Sequence, residues 1–177
     1  MTSVIVDTNV GLVANSQSNA DPKCQRKCIE RLLQITTEGT LLLDSLGLIL
    51  HEYLKQKPHG FPQGPGDLFF VWANDNQANP SLCRIIDVTA TDESIVDWQV
   101  HSHDPDLEEF PLNEDLEGFD RQDRKFVAVS IASKEQPTII NAADSDWHEF
   151  EAALRNVGVV VDFICPRTLR GKKLLAP

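Results

Sequence analysis

No apolar stretch in this chain approaches the about 18 uninterrupted residues that a membrane-spanning helix requires, so no transmembrane segment is expected. A basic leader with a cleavage site is missing too. Met1-Thr2-Ser3-Val4-Ile5-Val6-Asp7 reads instead as a core strand, and a cytoplasmic protein is the expectation. Cysteine is scarce: Cys24, Cys28, Cys83 and Cys165 are too few in 177 residues for a disulfide scaffold. Reduced thiols are therefore expected. A zinc tetrad of all four is the lesser alternative, because only Cys24 and Cys28 stand close, one helical turn apart. Basic charge is also in short supply, with 16 Lys and Arg against 27 Asp and Glu and a net charge of −11. That balance weighs against gripping nucleic acid through a broad basic surface, which depends on many lysine and arginine contacts to phosphate.

The hydrophobic content of 41% is enough for one buried core, and residues 1–177 are expected to form a single domain. Apolar runs alternate with helical patterns, which is the signature of an α/β fold. Strands are predicted at Ser3–Asp7, Thr40–Asp44, Arg84–Thr89, Thr138–Asn141 and Val159–Phe163. Their lack of apolar–polar alternation fits a central, mainly parallel sheet of about five strands covered on both faces, a three-layer α/β/α sandwich. Helices are predicted at Asp21–Thr37, Ser45–Gln56, Asp67–Asn74, Thr91–Trp98, Arg121–Lys134 and Ser145–Asn156. Asp21 before Pro22 supplies a cap and a first-turn proline. Two long loops are expected near 57–66, rich in proline and glycine, and near 99–119, where Asp104 through Asp120 concentrate negative charge in what reads as a solvated loop.

Ligand sites of open parallel sheets form at the carboxyl ends of the strands. Asp7 closes the first predicted strand and Asp144 follows the fourth, which puts both on one rim. Glu52 lies about two turns into the helix after the second strand, and Leu46, Ile49, Leu50 and Tyr53 around it favour an inward orientation. Asp123 stands at the first turn of the helix beginning near Arg121, with Asp120 competing for the same role. Carboxylates gathered this closely raise one another's pKa unless a cation lies between them. An oxygen-only set without histidine or cysteine suits Mg²⁺ or Mn²⁺ better than zinc. Asp146 is a candidate additional ligand, and Asn9, Asn141, Arg121, Arg124 and Lys125 are candidate supporting or phosphate-contacting residues. Each has an ordinary alternative as a cap, a turn residue or a surface cation balancing the acidic loop.

His101-Ser102-His103-Asp104 does not complete a His-x-His-x-Asp-His metal-hydrolase pattern, since Pro105 stands where aspartate is needed. Trp72, Trp98 and Trp147 read as core or interface anchors. Two basic clusters, Lys23/Arg26/Lys27/Arg31 and Arg167/Arg170/Lys172/Lys173, suit a nucleic-acid backbone or an acidic partner.

Four segments together resemble the PIN-domain nucleases, a family that includes VapC-like toxins and ribosomal-RNA processing enzymes. They are Val4-Ile5-Val6-Asp7-Thr8-Asn9, Leu48-Ile49-Leu50-His51-Glu52-Tyr53-Leu54, Asp120-Arg121-Gln122-Asp123-Arg124-Lys125-Phe126, and Ile139-Ile140-Asn141-Ala142-Ala143-Asp144-Ser145-Asp146. The chain departs from many relatives in having Asn141-Ala142-Ala143 where they carry threonine before the fourth carboxylate. The resemblance implies a metal-dependent endoribonuclease with Asp7, Glu52, Asp123 and Asp144 as metal ligands, leaving a 5′-phosphate and a 3′-hydroxyl. It also implies RNA as the substrate, with an antitoxin or ATPase partner, a homodimer, and a toxin or defence role as associated expectations. Two other expectations stand beside it: a catalytically weak protein-binding subunit, and a nuclease directed at DNA.

Overall fold

A computed structural model describes residues 2–18, 20–56, 62–91, 104–142 and 144–165. Five strands form one sheet: β1 Thr2–Val6, β2 Gly39–Asp44, β3 Cys83–Ile86, β4 Thr138–Asn141 and β5 Val160–Phe163. Every pairing is parallel and the order is β3-β2-β1-β4-β5. Helices α1 Thr8–Ala14, α2 Pro22–Glu38, α3 Leu48–Gln56, α4 Pro65–Asn76, α5 Arg124–Ala132, α6 Ser145–Glu149 and α7 Glu151–Asn156 fill the connections. The result is a three-layer α/β/α sandwich. Right-handed crossovers require it, since strand order reverses direction between the β1-β2-β3 half and the β4-β5 half.

The centre of the sheet is apolar by composition. Ile5, Val6, Leu41, Leu42, Leu43, Ile139 and Ile140 are essentially buried, each worth roughly 1.5–3 kcal/mol when taken out of water. Only the outer strands depart from the expected two-sided cover, with Ile85 on β3 47% and Val160 on β5 52% exposed. Both lie at the edges, where one side of the ladder has no neighbour among the described residues.

Several boundaries differ from the sequence expectations. The first strand stops at Val6, and Asp7 caps α1, a helix the sequence did not announce. The third strand is only four residues long. The proline–glycine stretch does not stay irregular to Gly66: α4 starts at Pro65, whose ring suits a first helical position. Gly66 is admitted there by a close helix crossing. A Cβ on Gly66 would meet the Gly11 carbonyl oxygen at 2.1 Å, and one on Gly11 would meet Phe70 Cζ at 2.2 Å. The predicted helix from Arg121 divides into a 3₁₀ turn, Arg121–Asp123, and α5, which ends at Ala132. The last helix breaks at Phe150 into α6 and α7. Most of the predicted helix Thr91–Trp98, residues 57–61, His101-Ser102-His103 and the basic cluster Arg167/Arg170/Lys172/Lys173 lie outside the described residues.

Two corrections concern charge and thiols. The acidic stretch is not simply solvated: Leu107, Leu116 and Phe119 are core residues, and Leu107 bridges antiparallel to Ala90. The thiols are not all reduced either. Cys24 and Cys165 form a disulfide, while Cys28 and Cys83 are free and buried. The four-cysteine zinc tetrad fails on topology, because Cys83 belongs to β3 at one edge of the sheet and Cys165 follows β5 at the other.

Candidate active site

The switch in strand order falls between β1 and β4, and their carboxyl ends build the first half of the site. Asp7 leaves β1 and caps α1, with Oδ1 accepting the Asn9 N–H at 2.8 Å. Its Oδ2 accepts from Asn141 Nδ2 at 3.0 Å. Asn141, fully buried at the end of β4, also takes the Asp144 N–H on its Oδ1 at 3.1 Å. One side chain thereby fixes the first carboxylate to the turn that carries the fourth. Asn9 reinforces the arrangement by accepting the Ala142 N–H at 2.9 Å. Asp144 caps α6 through the Asp146 N–H, at 2.9 Å, and Asp146 itself is exposed.

The second half comes from α3 and α5. Asp44, at the end of β2, accepts the N–H groups of Leu48 and Ile49 at 2.7 and 2.8 Å, with Gly47 at φ +76° turning the chain between them. This cap sets the phase of α3. Tyr53 is then buried with its hydroxyl donating to the Val6 carbonyl, and Glu52 lies beside it with its side chain 25% exposed. Asp123 ends the 3₁₀ turn that Asp120 caps by accepting the Gln122 N–H at 2.9 Å.

The four expected carboxylates lie near enough to act on one another's charge, but no three of them bring their oxygens within 4.8 Å of each other among the described residues. Burial holds Asp7 well above the usual carboxylate range, the charges of Asp123, Glu52 and Asp144 push it further, and the Asn9 N–H opposes them only in part. Burial also raises Asp123, to about 7, with Asp144, Glu52 and Asp120 adding to it and Lys125 working against it. Such repulsion is the state a bound cation would relieve.

Lys125, expected either to contact substrate phosphate or to lie as a cation on the helix surface, is buried, 2% exposed. Its Nζ contacts the carboxylate of Glu52, donates to Asp104 Oδ2 at 2.7 Å and donates to the Gln122 carbonyl. All three ammonium protons are used. Burial alone would lower its pKa, but Glu52 and Asp104 outweigh burial and hold it up. Arg121 and Arg124 follow the ordinary alternative, each reaching one oxygen of Asp106 at 3.1 Å. Arg124 also lies over the Phe110 ring, 4.7 Å from its centre. Asp104 and the burial of Lys125 were missed by sequence reasoning. The one available signal was that Lys125 directly precedes the core run Phe126-Val127-Ala128-Val129.

The carboxylates of Asp7, Asp123 and Asp144 are of the oxygen type that suits a hard divalent ion, while the His51 imidazole lies within reach of the charges of Glu52 and Asp104. Two buried polar atoms next to Asp7, Thr8 Oγ1 and Asn9 Nδ2, have no hydrogen-bond partner among the described residues. The Thr8 hydroxyl can accept or donate to a bound group, whereas Asn9 Nδ2 can only donate. In comparisons with family models, curated proteins and solved structures, nothing matches this chain.

Proposed function

We propose that this protein is a Mg²⁺- or Mn²⁺-dependent phosphodiesterase, an endoribonuclease of PIN type. The observation that supports the reading is that Asp7, Glu52, Asp123 and Asp144 act on one another's charge around the carboxyl end of β1, with Asp7 and Asp123 raised by burial and by mutual repulsion. Asp7, Glu52, Asp123 and Asp144 would hold the metal, with Asp146 at the margin. The bound ion supplies charge for an attacking water and for the phosphate in the transition state. The chain's own residues orient that chemistry. Asn141 aims Asp7 and the Asp144 turn, Asn9 fixes Ala142, and Lys125 holds Glu52 in place. Arg121 and Arg124 reach substrate phosphate only by exchanging Asp106 for it. RNA as the substrate, a toxin or defence role and an antitoxin or ATPase partner rest on the family resemblance. A cytoplasmic location belongs to the same reading, and there a disulfide forms only under oxidising conditions.

The test is Mn²⁺ titration by calorimetry together with digestion of single-stranded RNA, structured RNA and DNA. Metal uptake and cleavage are expected, and Asp7→Asn should abolish both, lowering cleavage by at least roughly a hundredfold. Cleavage that survives Asp7→Asn in a clean preparation would remove the assignment. A second reading, a protein-binding subunit or homodimer, is favoured by the groove between α2 and α4. Leu33 and Leu68 are 64% and 61% exposed there, beside Phe69 and Trp72. Absence of Mn²⁺ uptake near neutral pH would favour it.

A further inference from the structure

Outside the carboxylate site, Cys24, Cys28 and Cys165 bring their sulfurs within 4.8 Å of one another. All three are buried, at 3%, 0% and 6% exposure. The local reasons are plain. Asp21 caps α2 by accepting the Lys23 and Cys24 N–H groups, which fixes Cys24 in the first turn, and Cys28 follows one turn later on the same face. Cys165 is delivered by the chain leaving β5, where the N–H groups of Ile164 and Cys165 bond to the Asn141 and Ala142 carbonyls at 2.9 and 3.0 Å.

A crosslink needs two cysteines, and the Cys24–Cys165 disulfide accounts for two. Cys28 is left beside it as a thiol whose pKa burial pushes up to about 12. Cys83 shows what an ordinary core cysteine looks like: it too is buried and pushed up, to about 11, but it belongs to no group of three metal-ligating side chains among the described residues. The difference lies in the company each sulfur keeps.

We propose that, once the disulfide is reduced, Cys24, Cys28 and Cys165 form a three-thiolate site for one soft d¹⁰ metal ion. Sulfur-only donors select copper(I) or zinc over the hard ions that suit carboxylates. No histidine, aspartate or glutamate joins the three among the described residues. Three sulfurs satisfy copper(I), whereas structural zinc takes a fourth donor, so copper(I) is the better fit. The chemistry balances simply. An external dithiol reductant gives two electrons and two protons to the Cys24 and Cys165 sulfurs, and ligation then releases the three thiol protons to solvent. A coordinating thiol is deprotonated outright, which is how a buried thiol such as Cys28 becomes a ligand. Disulfide and metal are mutually exclusive occupants, so the structure shows the oxidised form.

The experiment reduces the full chain anaerobically, removes the reductant, and titrates it with copper(I) held by a chromophoric chelator and, separately, with Zn²⁺. One equivalent of copper(I) per chain is expected, with a sulfur-only shell by X-ray absorption. Cys28→Ser and the more core-compatible Cys28→Ala should each lose at least roughly tenfold in affinity, while Cys83→Ser should bind like the parent. One equivalent of Zn²⁺ with the same dependence on Cys28 also supports a soft-metal site, completed by a further donor. No uptake after reduction, equal uptake by the oxidised chain, or a shell of nitrogen and oxygen on the unmutated protein would overturn the proposal. The outcome is independent of whether the carboxylates bind Mn²⁺.

Discussion

On the β1–β4 side of the rim, Asp7 is held by hydrogen bonds from Asn9 and Asn141 and contacts no cationic side chain among the described contacts. Across the rim, Glu52 meets the ammonium of Lys125, which is shared with Asp104. The same type of group is thus stabilised in two ways. Hydrogen bonding to the charged form offsets burial incompletely, and Asp7 stays raised. An internal cation neutralises its neighbours directly. The lesson is that the fold supplies one positive charge to the α3–α5 half of an acidic cluster and none, among the described contacts, to the β1–β4 half.

The largest effect expected from breaking this contrast is Lys125→Met. Removing the ammonium leaves Glu52 and Asp104 without the cation they share, and stability measured by denaturant in a chelator should fall by about 3 kcal/mol. Adding Glu52→Gln should recover part of the loss. A Lys125→Met chain as stable as the parent would show that the ion pair is not what holds that half together.

Next in size is Asn141→Ala, which takes a donor from Asp7 and an acceptor from the Asp144 N–H inside a buried site. A loss of roughly 1–3 kcal/mol is expected, with Mn²⁺ affinity weakened about tenfold because the supporting shell is gone. Unchanged affinity would mean that Asp7 is oriented without Asn141.

The smallest effect sharpens the comparison through pH. Asp7 is raised and Asp123 is raised to about 7, while unfolded carboxylates titrate near about 4. Between those values the folded chain binds more protons than the unfolded one. The contribution of Asp123 to stability is therefore complete below about pH 4 and is lost as pH rises through about 7, and the raised Asp7 acts in the same direction. In chelator, the melting temperature should decline across that window. Asp7→Asn should flatten the slope, and saturating Mn²⁺ should reverse it.

Much of this arrangement was legible in particular residues. Val4-Ile5-Val6 and Ile139-Ile140 are apolar runs that end in polar rim residues, and two parallel strands with that pattern can only place Asp7 and Asn141 at one end. Asp21-Pro22 announced α2 in the same local language. Other features were not local. Thr8-Asn9-Val10-Gly11 has weak helix propensity, and α1 exists because Gly11 and Gly66 let α1 and α4 approach closely. Lys125 is buried because Asp104, 21 positions earlier, meets it. Cys24 and Cys165 are 141 positions apart, a separation about which cysteine count is silent.

The strand order also has a consequence for biosynthesis. β1 lies between β2 and β4, and Asp7 depends on Asn141, 134 positions later in the chain. Pairings this distant form late, since loop closure must precede them. A ribosome-bound chain that has released β1, β2 and β3 still lacks Asn141, Asp144 and the edge that β1 requires. The rim is assembled only after β4 and the start of α6 have been synthesised, 134 positions and more after Asp7, so the buried Asp7 waits unpaired through most of the intervening synthesis.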